Sequence, residues 1–128
     1  MGYIHETSSN ASWRREEQAV AERNHAMMTE YKSLRKTCAT QDDVIRLFEL
    51  VSGINATNWV APWRSPEAMW VEILINDEED GWVRGEMYTV TQCFRDEDND
   101  VIIECANREG SCTLCAGEGG LNEMWKVL

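Results

Sequence analysis

The chain has 128 residues, 43% hydrophobic and 27% charged, with a formal net charge of −11. This fits one globular domain, or a small domain with a helical appendage, large enough to bury a core without staples. No apolar run approaches a membrane span, the charge disfavours direct binding of nucleic acid or anionic membrane, and Met1–Glu6 has neither the basic start nor the apolar run of a secretory leader, so a cytoplasmic protein is expected.

From Ala11 to Thr37 there is no glycine or proline, and Trp13, Val20, Met27 and Leu34 recur every seven residues with Tyr31 between. That narrow apolar stripe predicts a helix over 11–37. Ser9, Asn10 and Ser12 are candidate N-caps, and Lys32, Arg35 and Lys36 suit the C-terminal dipole. The other core position of a heptad would hold Glu17, Asn24 and Tyr31. Two readings follow: a helix packed on the domain, or a seam for a homodimer through the 11–37 helix. Thr40 opens a second helix with Asp43 three residues on, a start resembling a capping box. Val44, Ile45, Leu47, Phe48 and Val51 form its apolar face, and Gly53 is expected to end it. The short Cys38-Ala39 link predicts an antiparallel or angled pair. Residues 1–53 are thus a helical segment.

Residues 54–67 read as a linker, since Asn58, Pro62 and Pro66 interrupt regular structure. Trp59 and Trp63 lie inside it, either covering the core or forming a recognition surface. The sequons at Asn10 and Asn55 are expected to be accidental in a chain with no secretory signal.

Residues 68–128 read as strands. Met69–Ile75 is the first, Met87–Phe94 the second and Val101–Cys105 the third. Asn107–Gly110 is a turn before a short strand, Ser111–Cys115. A glycine-rich loop, Gly117–Gly120, precedes a last strand, Glu123–Leu128. Five short antiparallel strands at this spacing close best as a small barrel, so the expected class is α+β, a helical pair followed by a five-stranded barrel.

Charge divides the chain. Residues 1–66 hold eight acids and eight bases, whereas residues 67–128 hold fifteen acids and four bases. The acids concentrate in Asp77-Glu78-Glu79-Asp80 and in Asp96, Glu97, Asp98 and Asp100. Such runs suit solvated turns, yet self-repulsion at this density also suits a surface that meets a cationic partner.

The segment Gly81-Trp82-Val83-Arg84-Gly85-Glu86-Met87-Tyr88-Thr89-Val90 resembles the "G-x-x-Tyr-x-Val" opening strand of small SH3-like barrels, which are common among bacteriophage proteins. The acidic turn, Val101-Ile102-Ile103, the Asn107–Gly110 turn and the aromatic closing strand Met124-Trp125-Lys126-Val127 follow the same pattern. The resemblance covers about the last 60 residues; the stretch 116–120 is longer than the pattern expects. It implies an SH3-like fold and a viral origin, with host cytoplasm as the compartment, and no particular activity.

Candidate chemistry is sparse. The five cysteines, Cys38, Cys93, Cys105, Cys112 and Cys115, are an odd count that argues for reduced thiols. Cys112-Thr113-Leu114-Cys115-Ala116-Gly117-Glu118-Gly119 resembles one zinc half-site of the cysteine-rich region of J-domain co-chaperones, which pair two such motifs per metal. Cys93 and Cys105 would have to complete the set with Cys112 and Cys115. In a continuous strand Cys112 and Cys115 face opposite sides, so metal-free packing thiols and no cofactor are expected. Asp96, Asp98 and Asp100 alternate as in a calcium loop, but Val101 stands where an EF-hand needs glycine. His5 and His25 are the only histidines, no nucleophile elbow, phosphate loop or His-Glu-x-x-His motif is present, and no catalytic residues are expected. The sequence therefore points to a non-enzymatic binding or inhibitory protein, a phage accessory factor resembling a DNA mimic. Its acidic barrel, with Trp59 and Trp63, would engage a basic surface of a host nucleic-acid-handling protein. The alternative is a small zinc-organised module.

Overall fold

The computed structural model describes residues 3–57 and 68–128. Two helices, α1 (Tyr3–Thr37) and α2 (Gln41–Thr57), precede five strands: β1 (Trp70–Ile73), β2 (Met87–Arg95), β3 (Val101–Asn107), β4 (Gly110–Cys115) and β5 (Trp125–Val127). The class is α+β, as expected.

The helices form an antiparallel hairpin. Arg46 of α2 makes a forked bond to Glu30 of α1, at 2.6 and 2.8 Å. Thr40 caps α2: its Oγ1 accepts from Asp43 N–H, and the Asp43 carboxylate accepts from the Thr40 and Ala39 N–H groups. Val44, Leu47, Leu50, Val51 and Ile54 make the buried face of α2, met from α1 by Met27, Met28, Tyr31 and Leu34. Gly53 does not end the helix. It lies mid-helix, where a Cβ would meet Met27 Sδ at 3.2 Å, so its place is set by close approach of the two helices. α1 likewise begins earlier than expected, at Tyr3. With 35 residues against 17 it is about 27 Å longer than α2. Among the described side chains of its N-terminal stretch, Arg15, Glu16, Gln18, Ala19, Ala21, Glu22 and Arg23 are exposed. Met27 and Leu34 of the heptad stripe pack on the core; the side chains of Trp13, Glu17 and Val20 lie outside the described ones.

The strands make one antiparallel sheet in the order β4-β3-β2-β1-β5. No backbone ladder joins the edge strands β4 and β5 among the described residues, so the sheet is not closed into a barrel. A side chain links them: Trp125 Nε1–H donates to the Cys115 carbonyl at 2.9 Å. The glycine-rich loop makes this possible, because a Cβ at Gly120 would stand 2.0 Å from that same carbonyl oxygen. Val71, Ile73, Tyr88, Val90, Val101, Ile103, Cys105, Leu114, Trp125 and Val127 line the buried face, with α2 against β2 and β3. Gln41 at the start of α2 holds the β2–β3 turn, accepting from Val101 N–H and donating to Asp100. Register slips between Val90 and Gln92, where β2 bulges. The bulge turns Cys93 onto the same face as Val90, which strict alternation would forbid.

Candidate functional site

Both acidic runs are turns, and in each only part of the run is available to a partner. In the β1–β2 connection, Asp77 and Trp82 exchange backbone bonds at 2.9 and 2.8 Å. The Asp77 carboxylate turns inward to accept from Glu79 N–H and Asp80 N–H. In the β2–β3 turn, Asp96 Oδ1 accepts from Asp98 N–H at 3.0 Å and Asp100 N–H at 2.9 Å, and Asn99 adopts φ 65°. Asp100 accepts from Gln41. Asp77, Asp96 and Asp100 are therefore committed to building their turns. Glu78, Glu79, Asp80, Glu97 and Asp98 are exposed, and none of these five pairs with a described cation.

The runs do not share a face. β2 starts beside the first turn and ends at the second, so its eight residue steps hold them about 26 Å apart. The first end also carries Glu86, Arg108 and Glu109; the second carries Arg95, which bonds Asp42 of α2. Local sequence could show the turns, but only strand order could show that they point to opposite ends.

Trp59 and Trp63 lie outside the described residues. The exposed aromatic that the structure does place is Trp70, 45% exposed on the outer face of β1 beside Met87, 53% exposed. Trp70 faces Thr89, and Thr89 faces Ala106. Together with Glu86, Asn107, Arg108 and Glu109 they line an open groove of about 700 Å³. The sequence held a signal for it: with Val71 and Ile73 buried, alternation sends Trp70 outward.

Beside this end lies a smaller cavity of about 240 Å³ lined by Asp80, Trp82, Glu86, Tyr88, Glu109, Ser111 and Cys112 among others. Tyr88 Oη donates to Glu86 at 2.7 Å, and that bond, with burial, pushes the phenol up to about 12. Of the cysteines, Cys93, Cys105 and Cys112 lie on the inner face, whereas Cys115 is exposed on the other side of β4. A four-thiolate zinc site would need all four together. Among the described residues no three His, Cys, Asp or Glu side chains are grouped to hold a metal ion. Burial, then the nearby Asp43 charge, pushes the Cys38 thiol up to about 11, and burial also raises Cys93. His25 is exposed on α1. No helix among the described residues is long and apolar enough to cross a membrane. No protein-family description, curated protein or solved structure matches the chain.

Proposed function

We propose that the chain is a non-enzymatic binding protein that engages a basic surface of a nucleic-acid-handling protein, in the manner of a phage accessory factor acting in the host cytoplasm. The observation that carries this reading is the set of five solvent-facing carboxylates on two built turns, without described counter-charges, in a half-chain holding all of the excess negative charge. Fixed turns present charge without the entropy of ordering it, which favours fast, electrostatically steered association. The two acidic ends would grip a partner at separated points, and the Trp70–Met87 groove would supply apolar contact near one of them. We also propose that the sheet belongs to the SH3-like type. The strand order and the Trp125 link between its edges support that fold, which leaves function to the surface.

The test is capture of partners from bacterial lysate on the immobilised full chain, between about 0.05 and 0.5 M salt. Capture should weaken as salt rises. It should also weaken when Glu78→Gln, Glu79→Gln and Asp80→Asn are combined with Glu97→Gln and Asp98→Asn. Capture indifferent to salt and to these changes would refute the electrostatic reading.

A further inference from the structure

The β3–β4 hairpin sets Cys105 directly opposite Cys112. Its register is fixed at the turn, where Asn107 Oδ1 accepts from Glu109 N–H and Gly110 N–H at 2.9 and 3.0 Å. At the far end Ala116 N–H bonds the Val101 carbonyl. Counting in steps of two from Val101, Cys105 and Cys112 form a hydrogen-bonded pair, with Cα atoms about 5.5 Å apart. That lies inside the range of about 4.4–6.8 Å that a disulfide bridges. Both side chains point to the same inner face of the hairpin. Cys105 is sealed at 1% exposure; Cys112 is half-buried and lines the cavity with Tyr88 and Trp82.

We propose that Cys105 and Cys112 are a reversible dithiol–disulfide site that reacts with small cationic or neutral disulfides entering this cavity. Cys112 thiolate attacks one sulfur of the reagent, breaking its S–S bond. A mixed disulfide forms on Cys112 and one thiolate leaves, taking up a proton. Cys105 thiolate then attacks the Cys112 sulfur and expels the second thiolate. Overall the protein dithiol loses two hydrogens to become a disulfide, and the reagent disulfide is reduced to two thiols. The order of attack follows from access. It also follows from charge: burial raises both thiols, but the neighbouring Cys112 charge raises Cys105 further, whereas pairing with Cys105 counteracts the rise at Cys112. Asp80, Glu86 and Glu109 at the cavity select against anionic reagents. Opposed Cβ atoms in a ladder sit about 4.5–5.5 Å apart, wider than the mean of about 3.8 Å in disulfides. The bridge is therefore strained and easily reduced, which suits a labile switch rather than a staple.

The experiment uses the full chain carrying Cys115→Ser, which removes the exposed thiol, treated with cystamine. Intact mass and peptide mapping should show loss of two hydrogens and a Cys105–Cys112 link, reversed by dithiothreitol. Adding Cys105→Ser should instead trap one cysteamine on Cys112. Cystamine should react at least about tenfold faster than the dianion 3,3′-dithiodipropionate, with the gap narrowing in salt. Modification of Cys38 or Cys93 without the link, or equal rates for the two reagents, would overturn the proposal. The linkage map needs no variant at either position, so a misfolded serine variant does not decide the result.

Discussion

Replacing Trp125 by phenylalanine tests whether one side chain holds the two edges of the sheet together. Trp125 is 1% exposed, and its indole N–H meets the Cys115 carbonyl at 2.9 Å. Ile102 and Cys115 are a non-hydrogen-bonded pair in the β3–β4 register, so this carbonyl points away from β3 and depends on the indole. Phenylalanine keeps the apolar body but removes two ring carbons, about 1.5 kcal/mol of burial at roughly 0.8 kcal/mol per carbon. It also orphans a carbonyl, costing about 1–3 kcal/mol. The sum, about 2.5–4.5 kcal/mol, is a large part of a small domain's stability. Urea unfolding followed by far-ultraviolet circular dichroism should show a midpoint lower by about 2 M with unchanged slope. A shift under about 0.5 M would refute the link as a structural bond.

The other predictions bear on the turns and the helical hairpin. Asp96→Ala removes two backbone acceptances and should lower stability by about 1–2 kcal/mol, whereas Asp98→Asn should change it by less than about 0.5 kcal/mol; paired urea titrations compare them. Gly53→Ala gains helix propensity while the flexible tip of Met27 moves aside, so stability should rise by up to about 1 kcal/mol; a fall in melting temperature would show that the contact is rigid. Thr40→Ala should cost about 1 kcal/mol through the lost cap. The Ala39 N–H bond, with those from Thr40, holds the Asp43 carboxyl below its ordinary 3.8. Its folded value is therefore depressed, its contribution is whole above about pH 3.8, and it is lost as pH falls through the lower folded value. Asp43→Asn should flatten that acid limb in a pH series of thermal melts.

Local chemistry was enough to read several features from the sequence. Thr40 and Asp43 mark the start of α2 because a capping box spans only four residues. The strands show as alternation, and the acidic runs read as solvated turns, which the structure builds with short-range bonds from Asp77 and Asp96 to neighbouring backbone. Those features depend on contacts a few residues apart, which a one-dimensional pattern can carry. Tertiary packing decided the rest. Gly53 has the composition of a helix stop but serves as the point where α1 crosses close to α2, which only the partner helix reveals. Cys93 faces the core because β2 bulges after Val90, a shift of one residue that inverts every side expected from counting. The acidic runs look like one charged half-chain in sequence, yet strand order sends them to opposite ends of the sheet. Cys105 and Cys112, seven residues apart, become opposed through a hairpin whose register is fixed by Asn107 and whose far end is tied at Val101. Sequence determines which residues prefer a strand, a cap or a turn; pairing register and helix contact determine which side chains meet, because those are set by free energies summed over residues distant along the chain.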